Sequence, residues 1–402
     1  SGRPGPVWLD IPLDVQGALV EENTLTGFSE CEESKEYKEE PTENEINRLL
    51  NWLRNSKRPV IVAGQGIRLS KAIKEFRIFV EYYGIPVVAS RLGIDILPSG
   101  HHLFIGRIGN KGDRAGNFTV QNADLVIAIG SRLSVSSTGH EYDKFAREAK
   151  IAIIDIDPIE HKKRTVRVDF FINADVKKFL AKMKSGEKID TTSWRKRCLE
   201  WKLKYPVYLP KYADEKRGTN LYYFVDRLSK KMKSDSVVIS DAGSAFYVVS
   251  QGIQLKDNQR YITSGAQAEM GYTLPACIGV SVAKNRGEVL GITGDGSLQT
   301  NIQELQTVVH YDLPVKLFVW NNNGYLSIRA TQSKFFGGRF IGTDKSSGIS
   351  FPNLEKIAFA YGIKYFRAPK SKYLDKIIDE ALAYDKAAIC EIMCLEDQEV
   401  VP

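Results

Sequence analysis

The 402-residue sequence has no run of about 18 consecutive apolar residues, so it offers no candidate transmembrane helix. Its opening, Ser1-Gly2-Arg3-Pro4-Gly5-Pro6, lacks the charged-then-apolar pattern of a signal peptide. Cysteine is scarce. Cys31, Cys198, Cys277, Cys390 and Cys394 are odd in number and show no CxxC spacing. That excludes a disulfide scaffold and fits reduced, buried thiols in a cytoplasmic protein. The five histidines (101, 102, 140, 161 and 310) form no zinc pattern. No GxGxxG follows the first buried strand, where the run is Gly64-Gln65-Gly66-Ile67-Arg68-Leu69, and this argues against a nicotinamide dehydrogenase.

Hydrophobic residues make up 43% and charged residues 26%, enough for two or three ordinary domains. The net charge is +7, with Lys and Arg spread along the chain in short runs such as Lys162-Lys163-Arg164. The pattern implies a mildly basic surface suited to small anionic substrates and no dedicated nucleic-acid or membrane site.

Residues 1–17 contain Val7-Trp8-Leu9-Asp10-Ile11-Pro12, which reads as a strand, and residues 18–43 read as an acidic linker. From 44 the pattern is helix and buried strand in alternation. Strands are expected at 58–66, 85–89, 125–130 and 151–157, giving a Rossmann-like domain over 44–185. Residues 186–216 read as a helical connection. Strands at 236–240, 288–293, 315–320 and 388–393 then define a second domain over 217–402. The expected class is α/β with two doubly wound parallel sheets.

The strand at 288–293 runs into Gly294-Asp295-Gly296-Ser297, and the strand at 315–320 runs into Asn321-Asn322-Asn323-Gly324-Tyr325. Ligands of open α/β sheets sit beyond the carboxyl ends of strands, so both clusters belong to one rim. Asp295 offers a carboxylate, Asn322 an amide oxygen and Gly324 a carbonyl, an oxygen-only set suited to Mg²⁺ shared with a diphosphate. Gly294 and Gly296 allow close backbone approach, and Ser297 opens a helix whose N–H groups can face phosphate.

This pair of clusters resembles the GDG…NN signature of thiamine diphosphate (ThDP) enzymes, and the chain resembles the acetolactate synthase-like branch over almost its whole length. The resemblance implies that Asp295, Asn322 and Gly324 hold Mg²⁺, with Gly294, Gly296, Ser297 and Tyr325 around the diphosphate. The segment Ser264-Gly265-Ala266-Gln267-Ala268-Glu269-Met270-Gly271 matches the part that bends the cofactor into a V: Met270 would wedge between its rings and the Ala268 carbonyl would meet its 4′-amino group. Asp241-Ala242-Gly243-Ser244 matches another diphosphate loop, with Ser244 and Ala245 where the family has Gln and His. In the central domain, Gly106 and Gly109, Arg132, Thr138-Gly139 and Asp155 resemble an FAD site, although Ser136 stands where an arginine is expected. Both FAD and a central domain without nucleotide remain open.

By the same resemblance, residues 1–17 would be the last strand of an N-terminal pyrimidine-binding domain lying upstream. That domain supplies the activating Glu to a neighbouring subunit, so a homodimer or homotetramer with shared sites is expected, and the 402 residues alone should be nearly inactive. The acidic residues of 21–40 are poor substitutes. The implied reaction is decarboxylation of pyruvate or another 2-keto acid, with transfer of the two-carbon unit to a carbonyl acceptor. Thr331 occupies the place of a Trp that selects small keto acids, which points to another or larger acceptor such as a keto-sugar nucleotide. A simple 2-keto-acid decarboxylase or oxidase, and a binding protein that kept the fold, are the alternatives.

Overall fold

Uninterrupted β-branched and apolar runs form strands buried on both faces, as parallel sheets covered by helices require. The computed structural model describes residues 3–27, 40–183, 186–265 and 267–401. The first sheet contains β1 (Pro59–Ala63), β2 (Val87–Ala89), β3 (Phe104–Arg107), β4 (Leu125–Ile129), β5 (Lys150–Asp155) and β6 (Phe170–Asn173), in the order β3-β2-β1-β4-β5-β6. The second contains β7 (Val237–Ser240), β8 (Arg260–Thr263), β9 (Val289–Gly294), β10 (Val315–Asn321), β11 (Lys364–Ala368) and β12 (Ala388–Met393), in the order β11-β12-β10-β9-β7-β8. The strand pairings within both sheets are parallel. The two doubly wound sheets agree with the expected α/β class.

Helix α1 (Glu43–Asn55) starts at a capping box, with Thr42 and Glu45 satisfying each other's backbone N–H groups. It buries Ile46, Leu49 and Leu53 at helical spacing. Helices α2 (Ile73–Tyr83) and α3 (Arg114–Gln121) also flank the first sheet. Helix α4 (Thr192–Lys204) lies in the expected connection, but it does more than connect. Trp194 and Cys198 are buried in the central domain's core, and the Trp194 indole N–H donates to the Pro59 carbonyl at 3.0 Å. Helices α5 (Leu221–Lys231), α6 (Gly243–Gly252), α7 (Thr273–Ala283) and α8 (Leu326–Phe335) belong to the second domain. One apolar cluster runs through both domains, joining Leu97 and Leu103 to Ile253 and Leu255.

Residues 7–12 form no strand: they are exposed irregular backbone, followed by one helical turn at Leu13–Gln16. A strand needs a neighbour to satisfy its N–H and C=O groups, and no described sheet edge receives this segment. Glu30, Glu32, Glu33 and Glu39 of the acidic stretch, and Cys31, lie outside the described residues. The other four cysteines are buried free thiols, as expected, and burial pushes the Cys198 thiol up to about 12.

Candidate functional site

In the second sheet the chain runs from β7 outward to β8, then crosses back to lay β9 on the other side of β7. That reversal opens a crevice at the carboxyl ends of β7 and β9, the place where such sheets bind ligands. The loop after β9 is Asp295-Gly296-Ser297, and the loop after β7 starts at Asp241.

Register brings the two halves of the motif together. Trp320 pairs with Gly294, so the residues after β9 and β10 leave the sheet side by side despite their separation in sequence. Asp295, only 3% exposed, accepts the Asn322 and Gly324 N–H groups on Oδ2, each at 3.1 Å, and the Gly296 N–H on Oδ1 at 2.8 Å. Burial pushes the Asp295 carboxyl up to about 6, against the pull of these three donors. A buried carboxylate beside an amide oxygen and a backbone carbonyl fits a hard divalent cation, which would remove the burial penalty. A Cβ at Gly294 would meet nothing within 4 Å, leaving open space at the strand end for a ligand. Gly296 is a glycine for a different reason: its Cβ would lie 2.2 Å from the Tyr325 ring, so ring packing requires it. Gly324 has φ +151°, and a Cβ there would strike the Thr343 carbonyl.

Ser297 donates to Asp241 Oδ2 at 2.7 Å and accepts the Gly271 N–H at 2.8 Å. The helical turn it belongs to spans only Asp295–Leu298 and continues as a 3₁₀ segment. The Gly271 bond ties the 264–271 segment to the rim. Asn301 reinforces it by donating to the Gly271 carbonyl at 2.9 Å. Ala268 has φ +57°, a left-handed conformation that costs a non-glycine residue about 1–2 kcal/mol and is held where the surroundings over-determine it. Met270 stands 42% exposed beside this segment, a large apolar side chain at a polar rim. The Ser264 hydroxyl is buried without a partner. These features fit a cofactor that brings apolar rings and polar edges. Ser244 lies half-buried in the first turn of α6, across the same crevice. Thr331 is on exposed helix α8, its hydroxyl donating to the Ser327 carbonyl at 3.1 Å.

Two residues of this rim were not singled out as site residues from sequence. Asp241 is fully buried and accepts from Thr293 Oγ1 at 2.8 Å, from Ser297 and from its neighbour's N–H, while burial raises its carboxyl. Its place at the end of β7 was the available signal. Arg329, 7% exposed, donates to the Asn322 carbonyl at 2.9 Å and to the Asn322 amide oxygen at 3.3 Å, so it holds the Asn322–Gly324 loop in shape. No motif announces it, because its role depends on how α8 packs.

The six residues of the flavin resemblance are spread along the rim of the first sheet, and each is engaged with protein. A Cβ at Gly106 would meet the Asp113 carboxylate at 2.1 Å, and one at Gly109 the Ser136 carbonyl at 2.0 Å. Arg132 pairs with Glu160 at 3.1 Å. The Asp155 carboxylate takes the Asp157 N–H at 3.0 Å, and Thr138 bonds the Ser134 and Gly139 carbonyls. Local packing therefore accounts for the loop glycines without a flavin. Of this set, Arg132 and Asp155 are the two that bring charge to the rim.

Outside this rim, Glu81, His101 and His102 form the one group of three His, Cys, Asp or Glu side chains among the described residues close enough to share a metal. His101 Nδ1 accepts the Leu103 N–H, so Nε2 carries the proton and donates to Glu81 at 2.9 Å. That tautomer leaves Nε2 no lone pair for a metal. No described helix is long and apolar enough to cross a membrane.

Comparison with known proteins agrees with this geometry. The model described as "Thiamine pyrophosphate enzyme, central domain" matches residues 46–183, and "Thiamine pyrophosphate enzyme, C-terminal TPP binding domain" matches 241–392. The acetolactate synthase large subunit of Lactococcus lactis subsp. lactis is 33% identical over 410 residues, covering 100% of this chain and 68% of that protein. A probable acetolactate synthase large subunit of Methanocaldococcus jannaschii is 31% identical over 413 residues, with coverage of 100% and 68%. Acetolactate synthase 2, chloroplastic, of Nicotiana tabacum is 29% identical over 418 residues, with coverage of 100% and 61%.

Proposed function

Because the chain belongs to the thiamine pyrophosphate enzymes and is similar to acetolactate synthase large subunits, we propose that it decarboxylates pyruvate or a related 2-keto acid and passes the two-carbon unit to a carbonyl acceptor. When bound, thiamine diphosphate supplies the nucleophilic carbon that makes loss of CO₂ from a 2-keto acid feasible. In this reading Asp295, Asn322 and the Gly324 carbonyl hold Mg²⁺ against the diphosphate, and Arg329 keeps that loop in place. Ser297, its hydroxyl engaged by Asp241 and Gly271, would hold this turn so that the adjoining N–H groups face the phosphates. Met270 would support the rings, and the Ala268 carbonyl, held by a strained backbone, would meet the aminopyrimidine edge.

The convergence of Asp295, Asn322 and Gly324 at the switch point of the second sheet carries this reading. Thr331 supports an acceptor other than a small keto acid, and a keto-sugar nucleotide is the candidate. The reading includes a homo-oligomer with shared sites. Its support is the run of exposed apolar side chains on and just after α8, Ile328, Phe335, Phe336, Phe340 and Ile341. No step is placed on a flavin; flavin fluorescence after reconstitution with FAD tests whether Arg132 and Asp155 hold one.

The test is CO₂ release from pyruvate by protein expressed from its whole reading frame, with ThDP, Mg²⁺ and acceptors supplied one at a time. A coupled product with one acceptor supports the carboligase, and aldehyde or peroxide as the main product replaces it by a decarboxylase or oxidase. No release from protein that binds ThDP removes the whole class.

A further inference from the structure

Interior strand β12 is otherwise apolar, yet it carries one acid. Glu391 is 7% exposed and lies between β10 and β11. A carboxylate in such a place is costly unless donors surround it. Register supplies them. Glu391 pairs with Val319 on one side and with Arg367 on the other, so Asn321 and Tyr365, each two residues from those partners, share its face of the sheet. Glu391 Oε1 accepts the Asn321 side-chain N–H at 2.7 Å. Its Oε2 accepts the Tyr365 hydroxyl at 2.6 Å and pairs with Arg367 Nε at 3.0 Å. Burial, and then the Glu391 carboxylate itself, push the Tyr365 phenol up, so that hydroxyl stays a donor.

The Asn321 bond leads into the loop that carries Asn322 and Gly324. With its NH₂ held by Glu391, the Asn321 amide turns Oδ1 to the Asn323 N–H at 3.0 Å, closing a short side-chain turn. Asn323 sits in a left-handed conformation, φ +57°, and on either side of it the Asn322 and Gly324 N–H groups converge on Asp295 Oδ2. A flipped Asn321 amide would set its oxygen against a carboxylate and its NH₂ against an N–H. Glu391 thus fixes which way the amide points.

We propose that Glu391 is a positioning residue for the metal loop: through Asn321 it holds the Asn323 turn that presents Asn322 and the Gly324 carbonyl to Mg²⁺. Tyr365 and Arg367 serve the fold, by completing the pairing of the carboxylate. The inference rests on the reading of Asp295, Asn322 and Gly324 as the metal site. Groups that orient metal ligands commonly contribute roughly 10–100-fold to metal affinity.

The experiment is calorimetric titration of Mg²⁺ into protein expressed from its whole reading frame, in excess ThDP, beside urea unfolding of the metal-free protein. Glu391→Ala should weaken Mg²⁺ binding roughly tenfold or more. Glu391→Gln keeps an oxygen for the Asn321 N–H and should restore most of that affinity. Tyr365→Phe removes a bond of the same carboxylate; it should lower the urea midpoint and leave Mg²⁺ affinity within about twofold. Asn321→Ala should weaken Mg²⁺ as much as Glu391→Ala, and the double variant no further, because both cut one link. Asn321→Ala leaves Glu391 paired with Tyr365 and Arg367, so it keeps the test open if Glu391→Ala fails to fold. Unchanged Mg²⁺ affinity in Asn321→Ala, equal losses in Glu391→Ala and Tyr365→Phe, or additive losses in the double variant overturn the proposal. A parent that binds no Mg²⁺ beside ThDP also overturns it, by removing the metal site itself, which the other outcomes leave standing.

Discussion

Replacing Asp295 by asparagine in metal-free protein separates what the fold needs from what the ligand needs. Burial holds the Asp295 carboxyl at about 6, above its ordinary 3.8. A carboxyl with a raised folded pKa binds its proton more tightly in the fold, so its contribution is present below about pH 4 and is lost as pH climbs to 6. Two pKa units correspond to roughly 3 kcal/mol. The amide cannot ionise and escapes that loss. It keeps an oxygen for the Asn322 and Gly324 N–H groups but presents NH₂ to the Gly296 N–H, at a cost of about 1–2 kcal/mol. Asp295→Asn should therefore be less stable than the parent by about 1–2 kcal/mol near pH 4, and more stable by about the same amount at pH 7. Urea unfolding in EDTA across that range measures the crossing. Adding Mg²⁺ and ThDP at pH 7 should reverse the order, since the parent gains about 2.7 kcal/mol at 100 times its Kd and the variant gains almost nothing. A difference between the two proteins that stays constant from pH 4 to 7 would refute the reasoning.

Three further outcomes follow from the same geometry. Asp241→Ala leaves two hydroxyls and an N–H without their acceptor and should cost about 2–4 kcal/mol, whereas Asp241→Asn keeps an oxygen for both hydroxyls and should cost about 1–2 kcal/mol; equal unfolding midpoints for parent and alanine variant would contradict this. Gly296→Ala drives a methyl into the Tyr325 ring and should cost about 1–3 kcal/mol, while Gly294→Ala should leave metal-free stability nearly unchanged and weaken ThDP binding, as calorimetric titration can compare. Thr331→Trp, on an exposed helix face, should alter stability by no more than about 0.5 kcal/mol yet shift acceptor preference toward small keto acids in competition assays.

The interior strands were legible because each is a continuous apolar run. The eight strands expected from sequence within the two domains are the eight interior strands of the two sheets. The four not anticipated, β3, β6, β8 and β11, are the four edges. An edge strand is covered less completely, so its apolar signal is broken. β8 alternates between half-buried and buried positions, β11 is mostly open, and β3 carries Gly106 and Arg107 inside it. The segment at 7–12 has the composition of a strand but meets no described sheet edge, and strand formation depends on a partner edge that local sequence does not encode.

Residue chemistry by itself determined the kind of ligand at the rim. Gly294, Asp295, Asn322 and Gly324 offer oxygen donors and small backbones at strand ends, and that combination suits a metal-bound diphosphate wherever the loops go. Only tertiary structure decided which atoms meet. The parallel register of β9 with β10 set Asp295 beside Asn322, and the crossover beside β7 buried Asp241 against Ser297. The packing of α8 turned Arg329 under the loop, and the meeting of β3 with α6 buried Arg107 beside Asp113. These are contacts between residues far apart in the chain, whose energies depend on burial and direction, and neither quantity exists until the sheets have formed.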